Sequence, residues 1–129
     1  MTIEAVLPAV TFRKTTVGGA AQRYRGAVDE IIDLDGLPVG RILVAPIAGV
    51  KGGWTVLDLF VRSAHRGRGA ATAALLHWGE VARSQGGWLS MSVAADDPHL
   101  PYFQRLGFRM VPAAGGRRVG LVMDLASAA

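Results

Sequence analysis

Alternating apolar and polar residues predict strands in the first part of the chain. The expected strands are residues 9–16, 24–32 and 39–44. Between the second and the third strand, Asp35-Gly36 is a dipeptide typical of a tight hairpin turn. Residues 46–53 contain a proline and three glycines, so they predict a loop. This half of the chain is therefore expected to consist of strands, the second and third of which form a hairpin.

The strand predicted at residues 54–61 is largely apolar at both its odd and its even positions. Such a strand is typical of the centre of a sheet that is covered on both faces. Asp58 is its charged exception. Two interpretations of Asp58 remain open: a general base in an apolar setting or, as we favour, a buried and hydrogen-bonded structural group.

The second half of the chain alternates helices with strands. Apolar residues at spacings of three and four, from Ala71 to Ala82, predict an amphipathic helix that follows residues 66–70 and extends to Gln85, and Gly86-Gly87 ends it. The elements expected after it are a strand at residues 88–93, a short helix from Asp96-Asp97-Pro98 to Gly107, and strands at residues 108–111 and 119–125. This order predicts a single α/β domain, residues 1–129, with a mixed sheet.

Composition narrows the class of protein. Half of the 129 residues are hydrophobic and 19% are charged, which fits one globular domain and excludes disorder. No apolar run approaches the roughly 20 residues of a membrane-spanning helix, and the first residues do not resemble a signal peptide. We therefore expect a cytoplasmic protein without a membrane partner. The absence of cysteine excludes disulfides and cysteine nucleophiles, and three scattered histidines argue against a catalytic metal site.

The net charge of +4 is carried mainly by arginine, since only Lys14 and Lys51 are lysines. The planar guanidinium suits phosphate groups, so either a nucleic acid or a polyanionic cofactor could explain the charge. The excess is small, and basic and aromatic residues are not interleaved on one strand or helix face. We therefore do not expect a nucleic-acid partner.

Residues 66–71, Arg66-Gly67-Arg68-Gly69-Ala70-Ala71, form a glycine-rich turn that opens the long helix, and we call them the anion turn. Free backbone N–H groups and the helix dipole make such a turn a site for phosphate or pyrophosphate. The two glycines would let a ligand approach the backbone. The alternative is a plain glycine-rich connection whose arginines are merely solvated. The turn lacks the Gly-Lys-Ser/Thr of a P-loop and fits the dinucleotide fingerprint poorly.

Two motifs resemble those of the GNAT superfamily of N-acetyltransferases. The segment 57–61 followed by the anion turn resembles its acetyl-CoA-binding signature, and the pattern Q/R-x-x-G-x-G/A falls on Arg66, Gly69 and Ala71. Residues 102–108, Tyr-Phe-Gln-Arg-Leu-Gly-Phe, resemble its late motif, L-Y-x-x-L-G-F. The two motifs occur in the expected order, and the resemblance covers roughly residues 39–125.

The resemblance implies a fold, a cosubstrate and a reaction. The implied fold is a mostly antiparallel mixed sheet with flanking helices, a splayed central strand pair and shortened N-terminal helices. Acetyl-CoA (coenzyme A) is the implied cosubstrate, with a backbone N–H near Phe60 and Val61 polarising the thioester. The residues implied to hold its pyrophosphate are Arg66, Gly67, Arg68, Gly69, Ala70 and Ala71. The implied reaction is direct acetyl transfer to a primary amine.

The sequence departs from the family at the catalytic positions. Phe103 occupies the slot of the family's acid tyrosine, Tyr102 precedes it, and Leu57 occupies the usual glutamate slot. The catalytic candidates are therefore Tyr102, Asp58 and Glu30, although a solvated strand face is the simpler interpretation of Glu30. These departures leave a second possibility, a non-catalytic acyl-CoA-binding regulatory module.

Residues 16–23 are too few for the two N-terminal helices of the family. The acceptor side is therefore either open or completed by a second subunit of a homodimer. The acceptor itself is a small molecule or a protein amine.

Overall fold

The computed structural model describes residues 9–15, 24–112 and 116–123, and these residues form one sheet flanked by two helices. The strands are β1 (Val10–Lys14), β2 (Val28–Leu34), β3 (Leu37–Pro46), β4 (Trp54–Val61), β5 (Leu89–Ala94), β6 (Phe108–Pro112) and β7 (Arg118–Met123). The helices are α1 (Ala70–Ser84) and α2 (Leu100–Leu106), and a 3-10 turn spans Ser63–His65. Neither helix is long and apolar enough to cross a lipid bilayer.

The sheet has the order β1-β2-β3-β4-β5-β7-β6, so β4 lies at its centre. Every pair of neighbours is antiparallel except β4 and β5, which are parallel and pair only at Trp54–Leu89 and Thr55–Ser90. The two strands separate beyond Thr55. The predicted fold class, a mostly antiparallel mixed sheet with a splayed central pair, is therefore confirmed.

The β2–β3 hairpin turns at the predicted Asp35-Gly36, whose φ angles are 50° and 81°. The positive φ at both positions is the geometry of a two-residue hairpin turn. The predicted start of β2 at residue 24 was wrong, because a turn containing Gly26, with φ 76°, occupies residues 24–26 and the strand begins at Val28. Residues 16–23, where shortened N-terminal helices were expected, lie outside the described residues.

The long helix begins where the sequence predicts, at the end of the anion turn, whereas the short helix begins later than predicted. Helix α1 begins at Ala70 because Gly69 before it has a left-handed φ of 84°. Helix α2 begins at Leu100, since Asp97 caps the preceding turn by accepting a hydrogen bond from the backbone N–H of His99 at 2.8 Å. The proline in its first turn is thus Pro101 rather than the predicted Pro98.

Helix α1 covers one face of the sheet and forms the core with it. Its buried residues include Ala74, Leu75, Trp78 and Ala82, and those of the sheet include Ile32, Ile42, Val44, Leu89 and Leu121. The helix is amphipathic as predicted. Burying these side chains is the main source of stability of such a layer.

The opposite face of the sheet carries ion pairs. Arg41 binds the buried carboxylate of Asp29, and Arg13 binds that of Asp33. No described helix covers this face, and Asp58 and Phe60 of β4 are exposed on it. The prediction that β4 is covered on both faces, and that Asp58 is buried, was therefore wrong.

A bulge in β4 accounts for the direction of these side chains. Leu43 of β3 pairs with Asp58 and the next residue, Val44, pairs with Val56, so Leu57 has no partner on β3. One extra residue changes which face the following side chains occupy. Val56 pairs with the buried Val44 on the α1 face, whereas Asp58 and Phe60 lie on the opposite face.

Candidate functional site

The anion turn lies between the end of β4 and the start of α1. Gly67 and Gly69 have φ angles of 79° and 84°, which side chains with a Cβ rarely adopt. A Cβ at either position would meet no protein atom within 4 Å, so both glycines border open space. The first turn of α1 contains no acidic residue that would repel an anion. The turn therefore has the shape and charge of an anion site.

Backbone N–H groups of the anion turn point to no protein acceptor. The hydrogen bonds of the preceding turn end with Arg66 N–H to Ser63 O at 3.4 Å, and those of the helix begin with Ala73 N–H to Gly69 O at 2.9 Å. Across the described residues, the structure records no acceptor for the N–H groups of residues 67–72. These donors and the positive end of the α1 dipole are available to a phosphate.

The side chain of Arg66 joins the anion turn to β4. Its Nε donates a hydrogen bond to the carbonyl oxygen of Val61 at 3.1 Å. This contact fixes the turn against the strand and leaves the other nitrogens of the guanidinium beside the groove. Arg68 is exposed on the same turn. The predicted cofactor residues that line one cavity here are Val61, Arg66, Gly67, Gly69, Ala70 and Ala71, whereas Arg68 does not line it.

Two adjoining cavities form a groove along the turn and the strand. The turn cavity, of about 490 Å³, includes Gly67, Gly69, Ala70 and Thr72 in its lining. The splay cavity, of about 400 Å³, includes Leu59, Phe60, Leu75 and Phe103. The residues that line both cavities are Val61, Arg66, Ala71, His99 and Tyr102. The groove thus runs from the start of α1 to the gap between β4 and β5.

The edge of β4 beyond Thr55 borders the splay cavity. Within the described ranges this edge has no strand partner, because β5 leaves β4 after Thr55. An unpaired strand edge presents N–H and C=O groups to any extended ligand that lies along it. The geometry therefore accommodates a long, amide-containing chain whose anionic end reaches the anion turn.

Tyr102 and the neighbouring Phe103 have different surroundings, as expected for adjacent helical residues. The hydroxyl of Tyr102 is hydrogen bonded to the hydroxyl of Thr72 in the first turn of α1. Phe103 packs edge-on against Phe108, with ring centroids 6.1 Å apart. The phenol of Tyr102 therefore lies at the junction of the two cavities. Phe103 is an apolar residue that lines only the splay cavity.

The predicted catalytic carboxylates are not brought together. Asp58 lies exposed on the sheet face opposite α1, where its charge raises the pKa of Arg41 after the larger effects of Asp29. Glu30 lies between β2 and α1 with 7% of its surface exposed, and it accepts a hydrogen bond from Trp78 Nε1 at 2.8 Å. The interpretation of Glu30 as a solvated strand residue was wrong. Of the two carboxylates, only that of Asp58 is exposed to solvent, and it lies on the same face of β4 as Phe60.

Sequence reasoning did not anticipate the contact of Thr72 or the cavity beside Arg62. Thr72 bonds Tyr102 across 30 positions, and its only sequence signal was that it is the one hydroxyl in an alanine-rich first helical turn. Arg62 lies one residue beyond β4 and borders a third cavity, described below. The arginine was visible in the sequence as part of a basic segment, but its cavity depends on long-range packing.

A family model supplies the identification, because the model of the acetyltransferase (GNAT) family matches residues 18–108. The chain belongs to the GNAT family. No curated protein is significantly similar to it. The resemblance noted in the sequence is thereby confirmed, and the match includes the anion turn and the late motif.

Solved GNAT structures share the fold of this GNAT domain at low identity. An acetyltransferase from Bacillus subtilis in complex with CoA is 12% identical, with a TM-score of 0.71 and coverage of 92% of this chain and 99% of that chain. A GNAT family acetyltransferase from Elizabethkingia anophelis with acetyl-CoA bound is 13% identical, with a TM-score of 0.71 and coverage of 90% and 98%. The GNAT domain of S. lividans PAT is 19% identical, with a TM-score of 0.68 and coverage of 96% and 100%.

Proposed function

We propose that this GNAT domain binds acetyl-CoA in the groove and transfers the acetyl group to a primary amine. The observation that supports the proposal most is the continuity of the anion turn with the open edge of β4. Both features suit coenzyme A, which has a pyrophosphate at one end and a chain of amides leading to the sulfur. Two solved GNAT structures of the same fold contain CoA or acetyl-CoA.

Different residues of the groove bind different parts of acetyl-CoA. Backbone N–H groups of residues 67–71 donate to the pyrophosphate, and Arg66 and Arg68 add positive charge. The unpaired edge of β4 pairs with the amides of the pantetheine. A backbone N–H near Phe60 and Val61 donates to the thioester carbonyl oxygen, where negative charge develops as the amine attacks.

Proton transfer falls to two side chains. The thioester supplies an activated acyl group: a C–N bond forms with the amine while the C–S bond breaks. Asp58 accepts the proton that the amine loses, through a water molecule where it does not reach directly. Tyr102 donates a proton to the departing sulfur, with Thr72 donating its own hydroxyl hydrogen to Tyr102. Glu30, enclosed beside Trp78, has no role in this scheme.

A thermal-shift measurement and a thiol-release assay test the proposal. Ligand binding to the native state raises the melting temperature, so acetyl-CoA must stabilise the protein. Release of free coenzyme A is then followed with a thiol reagent over a panel of amines, polyamines and peptides. Because the chain contains no cysteine, the protein itself gives no signal with the reagent. No stabilisation at millimolar acetyl-CoA would reject binding and transfer together.

The second candidate function is a non-catalytic acyl-CoA-binding regulatory module. It is favoured by Phe103, which occupies the position of the family's acid tyrosine. Stabilisation by acetyl-CoA without thiol release on any amine would support it.

Two further expectations belong with the proposal. A homodimer would complete the acceptor side, and light scattering after gel filtration tests it. We also expect the protein to be cytoplasmic, and cell fractionation tests this prediction.

A further inference from the structure

A third cavity lies on the sheet face opposite α1. This face cavity has a volume of about 190 Å³ and is lined by Ile31, Pro38, Gly40, Arg41, Phe60 and Arg62. Ile31, Arg41 and Phe60 are cross-strand neighbours on β2, β3 and β4. Side chains alternate along a strand, and the preceding Glu30 contacts α1, so Ile31 and its two neighbours face away from the helix.

Phe60 connects the face cavity with the cofactor groove. It lines both the face cavity and the splay cavity, and its surface is 50% exposed. A molecule in the face cavity would therefore lie across Phe60 from the place proposed for the thioester. Asp58, the proposed base, lies two residues away on the same face of β4. The face cavity is thus positioned to hold the body of an acceptor whose amine reaches the thioester.

The two arginines of the face cavity differ in what their guanidinium groups contact. Arg41 binds Asp29, and this hydrogen bond raises the pKa of Arg41. Arg62 has its backbone N–H bonded to Val39 O at 2.8 Å, which fixes it beside β3. Its guanidinium has no hydrogen bond or ion pair with any part of the chain that the structure describes. The backbone of Arg62 is therefore fixed beside the face cavity, and its charged side chain is available to a ligand.

We propose that the acceptor is an apolar amino acid, with its side chain in the face cavity and its carboxylate bound by Arg62. The inference rests on the proposed function and adds the substrate class. Ile31, Pro38 and Phe60 provide an apolar lining, and a guanidinium binds a carboxylate through two parallel hydrogen bonds. A volume of about 190 Å³ lies below the 300–1,000 Å³ of sites for drug-sized ligands, so it suits one side chain.

Matched pairs of amines test the carboxylate. Phenylalanine is compared with phenethylamine, and leucine with 3-methylbutylamine, since each pair differs only in the carboxylate. We expect the amino acid to have the higher kcat/KM by about 10-fold or more, the range of a charged hydrogen bond. Arg62→Gln is expected to remove this preference by lowering kcat/KM for the amino acids and leaving that for the simple amines unchanged.

Arg109→Gln is the control variant, because Arg109 is an exposed arginine on β6, at the far edge of the sheet from β3. It should keep the preference of the wild type. Equal rates for the two members of each pair, or an equal loss for both in Arg62→Gln, would overturn the inference while leaving acetyl transfer in place.

A binding measurement keeps the inference testable if no amine is acetylated. N-acetylphenylalanine and N-acetylphenethylamine are titrated by NMR into the protein alone and with coenzyme A. We expect only N-acetylphenylalanine to bind, and we expect Arg62→Gln to raise its Kd by about 10-fold or more. Absence of Arg62-dependent binding overturns the amino-acid site, whereas absence of stabilisation by acetyl-CoA contradicts the proposed function. The two failures are therefore distinct.

Discussion

The hydroxyl of Tyr102 on α2 is hydrogen bonded to the hydroxyl of Thr72 in the first turn of α1. The contact joins the late motif to the anion turn across the groove. When Thr72 donates, the phenolic hydrogen of Tyr102 remains free for a group in the splay cavity. The contact therefore allows Tyr102 to act as the general acid, although Phe103 occupies the position of the family's acid tyrosine.

Tyr102→Phe is expected to lower kcat by about 10-fold or more, because general acid catalysis contributes roughly 10²–10⁴-fold and a thiol leaves more readily than most groups. Stabilisation by acetyl-CoA should change little, since the backbone of the anion turn holds the pyrophosphate. Thiol release and thermal shift provide the two measurements. Tyr24→Phe, at the only other tyrosine, is the control. An unchanged kcat in Tyr102→Phe would assign the proton to water.

Gly69→Glu is expected to abolish stabilisation by acetyl-CoA. The new side chain would point into the turn cavity, because no protein atom lies within 4 Å of its Cβ, and its carboxylate would repel the pyrophosphate. Gly49→Glu is a close match: its φ is 76°, its Cβ would also meet nothing within 4 Å, and it lies outside the anion turn. Both variants should lose similar stability without ligand. Retained stabilisation in Gly69→Glu would refute the placement of the pyrophosphate.

Stability at acid pH depends in part on the Arg13–Asp33 pair. The hydrogen bond from Arg13 holds the pKa of Asp33 below its ordinary value of 3.8. Because the folded pKa is the lower one, this stabilisation is present above pH 3.8 and is lost as the pH falls through the folded pKa. The melting temperature of Asp33→Asn should therefore fall less steeply than that of the wild type below about pH 4. Parallel melting curves for the two proteins would show that the pair contributes nothing.

The central strand and the anion turn could be predicted from the sequence because their signals are local. The apolar run at residues 54–61 coincides with β4, and the glycines of residues 66–71 mark the turn. The start of α1 at the end of this turn follows from the same local signal, since Gly69 with its left-handed φ directly precedes Ala70. The start of α2 was set too early, at residues 96–98, because a capping carboxylate followed by proline also suits the turn that precedes the helix.

The surroundings of the two carboxylates depended on contacts that periodicity does not contain. The bulge at Leu57 turns Asp58 to the face opposite α1, and no described helix covers that face. Glu30 is enclosed because Trp78, 48 positions away, lies over it and donates a hydrogen bond. The first outcome follows from strand register and the second from how α1 packs on the sheet, and a single sequence specifies neither.

Gly40 allows β3 to approach the Phe60–Val61 peptide of β4 closely. A Cβ at residue 40 would lie 2.2 Å from the carbonyl oxygen of Phe60 and 3.1 Å from the Cα of Val61. A backbone oxygen cannot rotate away as a side chain can, so Gly40→Ala must displace the Phe60–Val61 peptide. We expect a loss of about 1–3 kcal/mol in unfolding free energy, the usual cost of overpacking, and a lower kcat/KM as the thioester donor moves.

Gly120→Ala on β7 is the control, because its Cβ would meet a side-chain atom, Val111 Cγ2, at 2.7 Å. Rotation of Val111 can relieve that contact, so this variant should lose less stability and keep its kcat/KM. Urea unfolding and thiol release compare the two. A Gly40→Ala variant that lost stability but kept the wild-type rate would contradict the assignment of the thioester donor. Displacement of the Phe60–Val61 peptide should weaken its hydrogen bond to the thioester carbonyl oxygen, so the donor would then lie elsewhere on β4.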